Sequence, residues 1–137
     1  MGLDNGVELK SRARLEFNEE TPQYLQFACY DNPNIETRER HTYEILYWRK
    51  CWGIRNAFFE LGFADDESYG KELYADDIRQ VRQILVEILC GQRDLDCPIW
   101  GIDEYAEQIA YDILRCNWLI DYLEENPQDY CIFYDSY

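Results

Sequence analysis

The sequence predicts an α+β fold in which a small antiparallel sheet packs with three helices. Three observations lead to this prediction: strict alternation of apolar and polar residues near the N-terminus, helical periodicity in three later segments, and a short aromatic segment near the C-terminus. With 137 residues, 47% of them apolar and 16% aromatic, the chain has the size and composition of one globular domain spanning 1–137. A disordered acidic tail lacks the apolar residues to form a core and is excluded.

The sheet is predicted from an N-terminal hairpin and a C-terminal strand. Residues 7–17 place apolar side chains on one face and charged side chains on the other, which is typical of a half-buried strand. We expect 24–30 to form the second strand of the hairpin, although Thr21 followed by Pro22 is also typical of a helix N-terminus. Residues 130–134 are predicted to add a short strand to this hairpin.

Three helices are predicted between the hairpin and the C-terminal strand. The first has an apolar stripe over 47–61, and Gly62 is suited to its C-terminal cap. The second covers 76–90 and begins with two aspartates, which stabilise a helix N-terminus. The third covers 101–126, where apolar residues recur at alternating spacings of four and three before Asn126-Pro127 ends the helix.

The cysteines do not indicate a metal site. No two of them have C-x-x-C spacing, and His41, in a polar segment, is the single histidine. Several lie within apolar patterns, where a free thiol behaves as a small hydrophobe. We therefore expect reduced and mostly buried thiols, a cytoplasmic protein, and no metal or other cofactor. The six positions are Cys29, Cys51, Cys90, Cys97, Cys116 and Cys131.

The charge is distributed unevenly along the chain. Residues 94–137 contain eleven carboxylates and one cation, Arg115, whereas residues 1–60 are close to neutral with ten acids and eight lysines or arginines. The net charge of −15 opposes direct binding to nucleic acid or to an anionic membrane, because both carry negative charge. No apolar run approaches the roughly 18 residues needed to span a bilayer. The expected partner is therefore a basic protein.

The third predicted helix carries the main candidate binding surface. The side opposite its apolar seam mixes large aromatic residues with carboxylates. Either the helix is central and the aromatics pack under a loop or the C-terminal strand, or they form an exposed contact surface whose carboxylates select a basic partner. This side collects Glu104, Glu107, Tyr111, Arg115, Trp118, Tyr122 and Glu125.

Two acidic loops extend the candidate surface if they fold onto the same side. The first is Asp65-Asp66-Glu67, and the second contains Asp94 and Asp96. The paired aspartates of the second loop are also a conceivable cation site, but no further oxygen ligands follow at calcium-loop spacing, so a solvated turn is favoured.

These features favour a binding role over catalysis. The sequence has no G-x-S-x-G motif and no glycine-rich phosphate loop. The leading hypothesis is a non-enzymatic acidic protein that inhibits a nucleic-acid-binding enzyme or nuclease by occupying its cationic site. In charge and size, though in no motif, the whole chain resembles the DNA-mimicking anti-restriction and anti-CRISPR proteins of phages, and a toxin immunity protein needs the same surface. The alternatives are a structural or accessory subunit that forms a homodimer or docks through its aromatic helix face, and a carboxylate-based metal-dependent hydrolase.

Overall fold

The computed structural model describes residues 4–16, 19–26, 41–64, 71–98 and 101–136. Three strands form one antiparallel sheet: Asp4–Ser11 (β1), His41–Arg49 (β2) and Tyr130–Ser136 (β3). The strand order is β2-β1-β3, so the C-terminal strand pairs with the N-terminal one. This arrangement confirms the predicted α+β class and the pairing of the C-terminal strand.

Four helices complete the described structure: Gln23–Gln26 (α1), Trp52–Glu60 (α2), Ala75–Leu89 (α3) and Ile102–Glu125 (α4). The bounds of α3 and α4 agree with the predicted 76–90 and 101–126. None of the helices in the described ranges is long and apolar enough to cross a membrane.

The second strand of the hairpin differs from the prediction. β2 takes this place, whereas residues 24–26 belong to α1 and residues 27–30 lie outside the described residues. The amide of Leu25 donates to the carbonyl of Pro22 at 3.0 Å, and the Leu25 side chain is fully buried. The Thr21-Pro22 pair therefore begins a helical turn, because proline fixes its own φ at a helical value.

The start of α2 was also predicted too early. The predicted helical stripe over 47–61 includes residues 47–49, which belong to β2. This strand buries consecutive residues, among them Ile45 and Leu46, and therefore lacks the apolar–polar alternation that identifies a half-buried strand. The strand predicted over 7–17 ends at Ser11, so the alternating residues that follow it leave the sheet.

The core lies between the sheet and the longer helices. Phe58 of α2 stacks on Phe133 of β3 with ring centroids 4.2 Å apart, and its ring lies 6.0 Å from that of Trp48 on β2. Each of these aromatic side chains is fully buried and contributes on the order of 2 kcal/mol by burial. α3 packs along α4, and α1 also contacts α4. The helix that carries the candidate surface is therefore covered by more than one element.

Candidate functional site on helix α4

α4 buries a broader arc than its apolar seam predicts. The seam residues Ile109, Cys116, Ile120 and Leu123 are buried, as expected. Asp112, Arg115 and Leu119 are buried beside them, whereas the seam residue Ile102 is 39% exposed. At 100° per residue the centre of the buried arc is rotated by roughly 60° from the predicted seam. The exposed side of α4 is therefore rotated by the same amount.

This rotation divides the predicted binding residues into two groups. Glu104, Glu107 and Glu125 are exposed, and Tyr111 is 39% exposed. Arg115 is buried, and Trp118 and Tyr122 are half-buried against the core. The structure thus brings the first group to the surface. Trp118 lies against the segment that precedes α1, Tyr122 beside the end of β1, and Arg115 beside Tyr24 of α1.

Trp118 and Tyr122 hold this segment onto α4. Their rings stack with centroids 5.3 Å apart. The Tyr122 hydroxyl donates to Asp129 at 2.7 Å and is hydrogen-bonded to Ser11 at 2.6 Å, and burial raises the pKa of Tyr122 to about 12. Trp118 lines a shallow pocket of about 240 Å³ together with Leu25 and other residues from 15–22. These contacts hold Ser11, Leu15 and Pro22 close to α4.

A buried ion pair forms a second anchor on the same side. The fully buried Asp112 carboxylate accepts from Trp48 Nε1 at 2.8 Å, from Gln108 Nε2 at 3.0 Å and from an Arg115 guanidinium nitrogen at 2.7 Å. Arg115 Nε donates to the carbonyl oxygen of Tyr24 at 2.7 Å. The pair therefore ties α4 to both β2 and α1. Because the Asp112 carboxylate is fully buried and accepts from three donors, the arrangement is suited to holding these elements together.

Burial shifts the titration of Asp112. Desolvation raises its pKa from 3.8 to about 6, and the positive charge of Arg115 opposes this rise. Sequence reasoning missed the pair because a charged residue on a helix is normally assigned to the solvent side. The available signal was that Arg115 is the single cation in residues 94–137 and lies three residues after Asp112.

The outer side of α4 carries a row of exposed carboxylates, which we call the acidic stripe: Asp103, Glu107, Asp121 and Glu125. The stripe extends over about 33 Å of helix. None of its four carboxylates forms an ion pair with any residue in the described ranges. Leu114, 41% exposed, lies between the two halves of the stripe, and Tyr111 lies beside it. An apolar centre flanked by acids has the composition of a surface that binds a basic partner.

Several cations in the described ranges pair with carboxylates outside the stripe. Arg79 of α3 pairs with Asp76 at 2.6 Å and with Glu124, which adjoins the stripe. Arg55 of α2 lies 2.7 Å from Asp135, and Arg115 is buried with Asp112 as described above. Arg82 of α3 donates to Asn117 of α4 at 2.7 Å and forms no ion pair with a carboxylate of the stripe.

The predicted acidic loops have different outcomes. Asp65, Asp66 and Glu67 lie outside the described residues. Asp94 and Asp96 are exposed in the α3–α4 connection, where the Asp94 carboxylate accepts from the Asp96 amide at 2.9 Å and closes a turn. Both line an open pocket of about 580 Å³ that also includes Ile102 in the first turn of α4, so this loop lies at the same end of the helix as the start of the stripe.

The described residues contain no group of three or more histidine, cysteine or carboxylate side chains that could hold a metal ion. Comparisons of the chain with protein-family models, with curated proteins and with solved structures find no match.

Proposed function

We propose that this protein is a non-enzymatic binding protein that inhibits a nucleic-acid-binding enzyme or nuclease by placing the acidic stripe of α4 in the partner's cationic site. The observation that carries this proposal is the stripe itself: four exposed carboxylates without an ion-pair partner in the described ranges, arranged around the exposed Leu114 on one side of α4.

The two components of this surface have different roles. Carboxylates at the rim of an interface attract a basic partner and mainly increase the association rate. Exposed apolar and aromatic side chains at its centre lose water on binding and mainly lengthen the lifetime of the complex. Leu114 and Tyr111 are placed for the second role, and the stripe residues at both ends of α4 are placed for the first.

A nucleic-acid site is the most suitable cationic target. Such a site presents many lysines or arginines to a polyanion, and a chain of net charge −15 is attracted to it while being repelled by nucleic acid itself. B-DNA carries on the order of 19 phosphate charges over the 33 Å of the stripe, so four carboxylates do not reproduce a full duplex. Inhibition therefore requires that the stripe cover only some of the residues with which the partner contacts phosphates. Asp94 and Asp96 add two negative charges at one end of the stripe.

Binding to a partner from the source cell provides the test. Wild-type protein is used as bait at low and high salt, and the captured protein is then purified and titrated against defined variants. The stripe variant combines Glu107→Gln with Asp121→Asn. The matched control combines Glu19→Gln with Glu72→Gln, which removes the same charge from exposed positions outside α4.

We expect the stripe variant to bind about tenfold more weakly than wild type at low salt, whereas the control binds like wild type. Duplex DNA or RNA is expected to compete with the protein for its partner. Equal affinity of the stripe variant and the control, or a partner whose binding is unaffected by excess nucleic acid, would contradict the proposal. Elution as a dimer at every salt concentration, with no loss on mutating the stripe, would favour the self-associating subunit instead.

A further inference from the structure

We infer that Cys51 and Cys97 form a reversible dithiol–disulfide site that is oxidised by a low-molecular-weight disulfide such as oxidised glutathione. This inference is independent of the proposed function. Cys51 is the residue preceding α2, and Cys97 lies in the connection between α3 and α4.

Backbone hydrogen bonds bring the two cysteine-bearing segments together. The amides of Trp52 and Gly53, at the start of α2, donate to the carbonyls of Asp96 and Leu95 at 3.1 and 3.0 Å. These amides have no partner within the helix, so the connection supplies their acceptors. A Cβ atom on Gly53 would lie 2.2 Å from the carbonyl oxygen of Asp94, which shows how closely the segments approach. Because the segments run in opposite directions, the next residue on each is one of the two cysteines.

The two thiols share the same surroundings. Cys51 Sγ lies 3.5 Å and Cys97 Sγ lies 3.7 Å from one acceptor, the carbonyl oxygen of Arg49. The two sulfur atoms therefore lie on the same side of the Arg49 carbonyl group. A disulfide needs Cβ atoms about 3.5–4.5 Å apart, and two thiols that contact the same carbonyl oxygen on paired segments require little movement to reach this distance.

The thiols differ in their access to solvent, and this difference sets the order of reaction. Cys97 is partly exposed and lines the pocket of about 580 Å³ beside the start of α4, whereas Cys51 is fully buried. Burial, and next the charge of a Cys97 thiolate, raise the pKa of Cys51 to about 12. Cys97 is therefore the attacking thiol, and Cys51 is the resolving one.

The reaction proceeds in two balanced exchanges. Cys97 loses its proton to solvent, and its sulfur attacks one sulfur of oxidised glutathione, forming a Cys97–glutathione disulfide and releasing one glutathione thiolate. Cys51 then loses its proton and attacks the Cys97 sulfur, forming the Cys51–Cys97 disulfide and releasing the second glutathione thiolate. The protein gives up two electrons, which reduce one glutathione disulfide to two thiols. An excess of reduced glutathione reverses both steps.

Other cysteines of the chain provide matched controls. Cys90 is exposed, so it tests what an accessible thiol does without the geometry of the proposed pair. Cys116 and Cys131 are fully buried, so they test whether burial alone prevents reaction. The native protein is exposed to oxidised glutathione, quenched with acid, alkylated and mapped by mass spectrometry without reduction.

Wild type is expected to yield a Cys51–Cys97 disulfide, a glutathione adduct on Cys90, and unmodified Cys116 and Cys131. In Cys51→Ser, Cys97 should accumulate as the glutathione adduct, and Cys51→Ala repeats this test with a residue better suited to a buried position. In Cys97→Ser, Cys51 should remain unmodified. Oxidation should raise the Tm of wild type by on the order of 5–10 °C, reversibly, and should not raise that of Cys97→Ser.

Two results would overturn the inference. One is that Cys97 of the wild type accumulates as the glutathione mixed disulfide, as is expected for Cys51→Ser. The other is that Cys97 forms its disulfide with a different cysteine, such as Cys29.

Discussion

Both sides of α4 contain carboxylates and aromatic residues, but those on one side bond within the fold and those on the other are exposed. On the covered side, Asp112 is paired with Arg115 and Tyr122 donates to Asp129, so each charge and hydroxyl has a partner within the fold. On the outer side, the four carboxylates of the acidic stripe have no ion-pair partner among the described residues. The difference shows that one helix can stabilise the fold on one side and leave the other side available for binding.

Removing a charged residue is expected to change the stability of the fold in opposite directions on the two sides of α4. Removing one member of a buried ion pair leaves an uncompensated charge in the interior, which is strongly destabilising. Removing one of several exposed carboxylates reduces their mutual repulsion and leaves stability unchanged or slightly improved. Substitutions on each side therefore separate stability from binding.

The largest predicted effect concerns the buried pair. Arg115→Met should lower the free energy of unfolding by about 3 to 5 kcal/mol, because the Asp112 carboxylate stays buried without its cation. Denaturant unfolding measures this loss. Arg82→Met is the control, since Arg82 makes its hydrogen bond to Asn117 at the surface, and it should cost below about 1 kcal/mol. Equal losses in the two variants would show that the pair does not anchor α4.

The pH dependence of stability should also report on Asp112. Its pKa in the folded state, about 6, lies above the ordinary value of 3.8, so the folded protein binds this proton more tightly than the unfolded chain. The resulting stabilisation is fully present below about pH 4 and is lost as the pH rises through 6. Over this range wild type should lose about 3 kcal/mol more than Asp112→Asn, which has no such proton. Parallel pH profiles would contradict the raised pKa.

Substitutions of Trp118 and Tyr111 compare an aromatic residue on the covered side of α4 with one on its outer side. Trp118→Ala should lower stability by about 2 kcal/mol, somewhat less than for a fully buried aromatic, because its ring stacks on Tyr122 and packs under the segment before α1. Tyr111→Ala should cost below about 1 kcal/mol. Thermal and denaturant unfolding of both variants give the comparison, and a larger loss for Tyr111→Ala would reverse our assignment of the two sides.

The smallest predicted effect is the response to salt. Residues 61–137 contain eighteen acids and five lysines or arginines, and physiological salt screens their repulsion beyond roughly 8 Å. Raising NaCl from low to physiological concentration should increase the Tm by a few degrees. The gain should be smaller in the stripe variant with Glu107→Gln and Asp121→Asn. A flat or falling Tm would show that the acids are better paired than the described contacts indicate.

The fold was predictable where one residue pattern dominated. α3 and α4 are long and have regular apolar spacing, β1 alternates apolar and polar residues from Val7 onward, and β3 is rich in aromatic residues, so these elements follow from the sequence. β2 was missed because its consecutive buried residues remove the period of two. The helix at Thr21-Pro22 was given only as the alternative to a strand, because a one-turn helix depends on a tertiary contact such as that of Leu25.

The candidate surface was predictable only in part. The apolar seam of α4 predicts one part of its buried surface. Asp112 and Arg115 are buried as well, and the spacing of apolar residues does not reveal this second part. The exposed stripe therefore includes Asp103 and Asp121, which lie outside the predicted set, and leaves Trp118 at its covered margin.

The most direct test of the division between the two sides of α4 is the dissociation rate of the partner complex for Tyr111→Ala combined with Leu114→Ala. Both side chains are exposed at the centre of the stripe, so the variant should keep the wild-type Tm within a few degrees. Its complex should dissociate about 30-fold faster, with a nearly unchanged association rate. A wild-type dissociation rate would show that the outer side does not bind the partner, and a large fall in Tm would show that it belongs to the core.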